Sequence, residues 1–203
     1  MIIDAISITG LAESAVAAGF AKVCKYPTEK EFLAAVEQVE KTGLETAHLK
    51  RLVKLAAFED GSGHKNALKG VTVAMNITAS LKWWMQANRY SHFDIVSSMS
   101  TQHRLRDLIN NDALRFSSDT SMAVVERFLA YAHDNPDLSN SELSQSLPFG
   151  AELCARVTTN YLQLRTMWVQ RHTHALSEWQ VFCDKISTFP YANYFITDQK
   201  EEK

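Results

Sequence analysis

The chain has 203 residues, 46% apolar and 22% charged side chains and a formal net charge of −2, an ordinary globular composition that excludes a general polyanion binder. Cys24, Cys154 and Cys183 are scattered and odd in number, which excludes a disulfide framework or a clustered zinc motif and fits a reducing compartment. No apolar run approaches the roughly 20 residues of a membrane span, and the start MIIDAISITG has no signal-peptide pattern, so the expected setting is cytoplasmic with no membrane partner.

Ile2 to Ile8 alternates apolar with polar residues and ends at Thr9–Gly10, which predicts a first strand. Leu11 to Phe20 is Ala-rich and predicts a short helix. Thr28 with Glu31 three residues on reads as a capping box, opening a helix that carries Phe32, Leu33, Val36 and Val39 and stops at Gly43. Another helix is expected from about Glu45 to Phe58, with Leu49, Leu52, Val53 and Ala56 on one side. Residues 59–63 read as a turn. Gly70 to Ser80 sets Val71, Val73, Met75 and Ile77 against Thr72, Ala74, Asn76 and Thr78, the pattern of a strand.

Leu81 to Tyr90 predicts a short aromatic helix, and His92 to Ser98 a shorter strand or an extended loop. Helices are expected over Thr101–Asn110 and Ser118–His133, the second broken by Asn135–Pro136. Ser139 or Asn140 caps a short helix ending near Leu147–Pro148. A long helix over about 150–172 and a last one over Ser177–Phe189 complete the set, with 198–203 expected to be disordered. The balance is an α+β domain over 1–197, mostly helical with a small antiparallel sheet.

Asn160, Leu164, Met167, Arg171, His174 and Glu178 recur at three- and four-residue steps and share one face of the expected long helix. Such a mixed face suits either a ligand pocket or an amphipathic core helix with polar edges. His64 follows Gly61–Ser62–Gly63 and reads as a site residue or a surface-loop histidine. Gln86 and Arg89 are three apart near a helix end. Ser97 to Arg104 places hydroxyls, His103 and Arg104 before a helix start, which suits an anion or, equally, ordinary capping by Ser100 or Thr101.

The sequence contains no Gly-rich phosphate loop, Rossmann fingerprint, HExxH or nucleophile elbow. His172 and His174 point apart on a helix, Cys154 is expected to pack inside one, and Trp83, Trp84 and Trp168 suit core or subunit contacts better than base stacking.

The order of parts is specific. A Gly-His turn precedes a strand, an aromatic helix ends in Gln-x-x-Arg, and a Ser-rich segment follows. A Leu-Pro then precedes Asn–x10–Arg–x2–His and a nearby Trp. This order resembles the flavin-dependent thymidylate synthases over about 61–104 and 145–182. The resemblance implies that family's fold, FAD as hydride carrier, and dUMP or a related pyrimidine nucleotide as substrate, with NADPH and methylenetetrahydrofolate as further reactants. It implies that His64, Arg89, Asn160 and His174 contact the cofactor. By the same resemblance Gln86, Ser98, Ser100, His103, Arg104 and Arg171 contact the substrate, with Arg171 polarising the pyrimidine. It also implies a homotetramer with shared sites, for which Trp83, Trp84, Tyr161 and Trp168 are expected as surface aromatics.

The departures are equally specific. The family's Arg-His-Arg becomes Arg89–Tyr90–Ser91, and its Glu-x-Ser-x-Arg portion becomes Ser98 to Arg104, with the arginine displaced. Ser144 stands where an arginine is expected four residues before Pro148, and Leu162 where one commonly follows Asn160. Each lost arginine removes charge-assisted bonds worth about 1.5–3 kcal/mol. Two other readings therefore stand beside the enzyme: a catalytically inactive nucleotide-binding or protein-interaction member of the same fold, and a purely structural helical protein.

Overall fold

The computed structural model describes residues 1–59, 61 and 63–197, so the expected tail at 198–203 lies outside the described residues. More than half of the structure is helical, around a four-stranded antiparallel sheet of order β1-β2-β4-β3, which is the α+β class read from the sequence.

The first strand, β1 (Ile2–Thr9), pairs with β2 (Thr72–Ser80). Its register shifts between Asp4 and Ser7, where Ala5 has a φ of 47°. That bulge explains why Ile3, Ile6 and Ile8 all reach the core despite their uneven spacing. Gly10 then turns at φ 81° so close to the chain that a Cβ would stand 2.2 Å from the Gly70 carbonyl oxygen, and only glycine fits.

Next come α1 (Leu11–Ala17), α2 (Glu29–Thr42) and α3 (Ala47–Ala56). The capping box of α2 forms as read. Thr28 Oγ accepts from the Glu31 N–H, and the Glu31 carboxylate accepts from the Thr28 N–H. Lys25, at 2.6 Å, and those Thr28 bonds hold the Glu31 carboxyl down at about 2. A 3₁₀ turn over His64–Gly70 leads into β2, whose Val73, Met75, Ile77 and Ala79 point inward as the alternation required.

Ser80 caps α4 (Leu81–Ala87), and the chain then forms the edge strand β3 (Asp94–Ser98), so the strand option for 92–98 is the one realised. A second layer follows: α5 (Thr101–Asn110), α6 (Met122–Asp134) and α7 (Asn140–Gln145), packed on Leu105, Ile109, Phe128, Ala132 and Leu143. Arg106 stitches it together by donating to the carbonyls of Ala132, Asn135 and Leu138.

The long helix expected over 150–172 does not form. Glu152–Asn160 is β4, between β2 and β3, and the helix α8 begins only at Tyr161 and ends at Arg171. β4 buries Ala155, Val157 and Thr159 at period two, and the β-branched run Val157–Thr158–Thr159 prefers extended backbone. Cys154 therefore lies in a strand, not inside a helix. The chain closes with α9 (Ser177–Ser187) and the single turn α10 (Ala192–Phe195).

The main core holds the inward face of β2 and β4 against Trp83, Tyr161, Leu164, Met167, Trp179 and Phe182. Trp83 and Tyr161 are wholly buried and Trp84 is 6% exposed, which overturns their expected surface role. Their rings complete the monomer's own core, where the rings of Trp83 and Trp179 stand 4.9 Å apart. Trp168 alone of the four is half-buried, stacked on His172 at 4.2 Å.

All three cysteines are free. Burial, with Asp184 adding to it, pushes the Cys183 thiol up to about 12, Arg171 opposing. In a native titration with a thiol reagent, exposed Cys24 should react first and Cys183 only after denaturant is added. Labelling of Cys183 in the folded protein would contradict this burial.

Candidate functional site

Asn160 ends β4 in an extended conformation, and its Oδ1 accepts from the Gln163 N–H at 2.9 Å, capping α8. Tyr161, Leu164, Arg165 and Met167 then turn inward. The opposite stripe, Leu162, Thr166, Val169 and Gln170, faces the 3₁₀ turn across a cleft of about 600 Å³. The turn contributes Lys65, Asn66 and Lys69, with Glu59, Gly61 and Gly63 at one end. Such a cleft offers an apolar wall, N–H donors and cationic groups, a combination suited to a ligand with a ring system and phosphates.

Gln170 connects this cleft to a second group of residues. Its Oε1 accepts from Tyr90 Oη at 2.9 Å, and Tyr90 Oη in turn accepts from Arg171 Nε at 2.7 Å. The Arg171 guanidinium lies 5.5 Å from the Tyr90 ring centre and 5.0 Å from that of Trp179, a cation–π pairing on two rings. Trp179 Nε1 donates to Gln86 Oε1 at 2.8 Å. The His174 ring meets Trp179 at 6.5 Å, and its Nδ1 accepts from the Leu176 N–H. Gln86, distant in sequence, thus converges with Arg171 and His174 on one indole.

The common helical face read through Asn160, Arg171, His174 and Glu178 is corrected here. The helix stops at Arg171, His174 lies in the following turn, and Glu178 belongs to α9. Glu178 is buried and accepts from the Ser80 N–H at 2.8 Å and from Ser80 Oγ at 2.5 Å. It therefore holds the start of α4 and is not the partner of Arg171. Arg171 Nη1 and Nη2 have no hydrogen-bond partner among the described residues, so two of its three guanidinium nitrogens are uncommitted.

The other candidates lie elsewhere. His64 is exposed at the start of the 3₁₀ turn, its ring 4.4 Å from that of Phe58, between the cleft residues Gly63 and Lys65. Arg89 is exposed and falls just past the end of α4, not on a shared face with Gln86.

Ser98 ends β3, and Ser100 is the N-cap of α5 without a side-chain capping bond, so capping does not occupy its hydroxyl. His103 is exposed, and Arg104 pairs with Asp107 at 2.8 Å. A hollow of about 430 Å³ adjoins Met99, Ser100 and Arg104. No hydrogen bond or ring contact among the described residues joins this segment to the Arg171 group. Gln102 Nε2 reaches Ser144 Oγ at 3.4 Å, so the serine at the expected arginine position faces the start of α5.

Lys65, Lys69 and Gln170 carry no reading in the sequence, and Trp179 enters only as the tryptophan near the motif histidine. The signal for the lysines was their four-residue spacing directly after His64. Tyr90 had registered only as a missing histidine, and the structure gives it a task, holding Arg171.

No family model and no curated protein sequence matches this chain. Solved structures do. A flavin-dependent thymidylate synthase, ThyX, from Helicobacter pylori, complexed with FAD and dUMP, matches at a TM-score of 0.68, covering 98% of this chain and 99% of its own at 14% identity. A second crystal structure of ThyX from Helicobacter pylori with FAD and dUMP matches at 0.69, covering 96% and 97%, also at 14% identity. The chain has the fold of these enzymes from end to end.

Proposed function

We propose that this protein binds FAD and a pyrimidine nucleotide, dUMP or a relative, and acts as a flavin-dependent thymidylate synthase-like enzyme. The observation that carries this reading is the end-to-end fold agreement with FAD- and dUMP-bound ThyX, joined to a cleft of suitable chemistry against α8. The cleft residues fit a flavin nucleotide. Lys65, Asn66 and Lys69 supply donors for phosphate oxygens, and Leu162 and Val169 supply an apolar wall.

FAD, when bound, supplies the hydride chemistry. The chain's own task is binding and orientation. Arg171, steadied by Tyr90 and Trp179, directs its free nitrogens at a pyrimidine carbonyl. Gln86 fixes the indole beneath it. His64, Arg89, Asn160 and His174 remain the proposed cofactor contacts. Ser98, Ser100, His103 and Arg104 remain those of the nucleotide phosphate, met across a subunit boundary in a homotetramer. Methylenetetrahydrofolate and NADPH belong to the same proposal. Among the described residues no helix is long and apolar enough to cross a membrane.

The visible spectrum of the purified protein tests this directly. Flavin absorbance, or its appearance after FAD is added and excess removed, is the expected result. Lys69→Ala should weaken FAD binding by about tenfold, since an exposed charge-assisted bond delivers the lower end of its range. Absence of flavin with no uptake of added FAD would overturn the reading.

A further inference from the structure

A separate hollow of about 250 Å³ lies where α1, the turn after it and the helices α2 and α3 meet, and it shares no lining residue with the lysine cleft. Its walls are apolar. Phe20 and Phe32 face each other with ring centres 6.0 Å apart, flanked by Val23 and Pro27. Its polar side comes from Lys22, from Glu31 of α2 and from α3, where His48 and Arg51, three residues apart, project from one helical face.

Neither group is satisfied by the protein. His48 Nδ1 is buried with no hydrogen-bond partner, and buried polar atoms rarely stay so. Half-buried Arg51 has no hydrogen bond or ion pair among the described residues. The one carboxylate on the rim, Glu31, is engaged by Lys25 and Thr28, so it does not neutralise the guanidinium. The chain also makes room for Arg51. A Cβ on Gly19 would stand 2.3 Å from its Nη1 and 3.4 Å from its Cζ, so a side chain there would displace the guanidinium from the pocket.

An uncompensated guanidinium and an unpaired imidazole nitrogen beside aromatic walls call for an anion with an apolar body. A carboxylate matches this setting. It accepts the planar fork of Arg51 in two parallel bonds, with Lys22 a second cation on the lining. The volume lies below the roughly 300–1,000 Å³ of drug-sized sites, which limits the occupant to one ring or a short chain. We propose that this hollow is a binding site for a small aromatic or short-chain monocarboxylate, distinct from the flavin and nucleotide cleft.

Calorimetric titration of the full chain with phenylacetate and with its neutral counterpart phenylacetamide tests the proposal. Phenylacetate should bind saturably, one per chain, at least tenfold tighter than the amide. Arg51→Gln should weaken phenylacetate at least tenfold and abolish the difference between the two, while FAD uptake is unchanged. Amide NMR shifts on adding phenylacetate should map to α3 and residues 19–23. Absence of saturable phenylacetate binding, equal affinity for both compounds, shifts mapping to the lysine cleft, or full affinity in Arg51→Gln would each overturn it. Should Arg51→Gln fail to fold, the acid–amide comparison and the shift map on the unaltered protein decide.

Discussion

Trp179→Ala is expected to lower the unfolding free energy by about 3–5 kcal/mol, or the melting temperature by roughly 6–20 °C for a chain of this size. Trp179 is wholly buried, and its ring meets those of Trp83 at 4.9 Å, Phe182 at 5.6 Å and Tyr90 at 6.0 Å. Truncation empties the centre of that group and also strands the Gln86 carbonyl that its indole N–H satisfies. Trp179→Phe separates the two effects, since it keeps much of the ring volume while removing the donor, and it should cost well under half as much. Both are read from calorimetric or circular-dichroism melts. A loss below about 1 kcal/mol for the alanine variant would mean that the cluster is not the core it is described as.

Much of this architecture was legible because local rules and tertiary packing agree. Strict alternation over 71–77 marked β2, the Thr28/Glu31 box marked a helix start that forms as read, and of the two caps read at 139–140 the structure uses Ser139, completed into a box by Glu142. β4 was not legible because its sequence serves two periods. Leu153, Cys154, Val157 and Tyr161 are spaced as on a helix, while Ala155, Val157 and Thr159 are spaced as on a strand. Only pairing with both β2 and β3 decides between them. The aromatics were misplaced for a related reason. A large ring suits a core or an interface equally by composition, and Trp83 and Tyr161 found their partners within the chain.

The site divides in the same way. Gln86, Arg171 and His174 were readable one by one, but what unites them is Trp179, which came only as a tryptophan near a helix. The link from the cleft to Arg171 runs through Gln170 and Tyr90, a pair 80 residues apart that no spacing rule reveals. The Ser98–Arg104 segment was read as part of one site, yet it packs with α7 and makes no bond to the Arg171 group among the described residues.

Arg171→Lys is expected to weaken dUMP binding by about 10- to 100-fold while costing only about 0.5–1 kcal/mol of stability. The first figure is the loss of a charge-assisted bond of about 1.5–3 kcal/mol, at tenfold per 1.4 kcal/mol. The second follows from the geometry. A lysine keeps the positive charge over the Tyr90 and Trp179 rings, so much of the cation–π attraction survives. What it loses is the bond from Nε to Tyr90 and the planar fork whose two outer nitrogens have no partner in the chain. Tyr90→Phe is the companion variant. It leaves Arg171 intact but unanchored, so affinity should fall less than in Arg171→Lys, with the ring stacking retained. Titration calorimetry with dUMP, beside a melt of each variant, measures both quantities. If Arg171→Lys melts far earlier yet binds dUMP normally per folded molecule, Arg171 is a structural rivet between α8 and α9. The nucleotide contact would then have to be sought at Ser98–Arg104, where Ser100 offers an uncommitted hydroxyl at the start of α5.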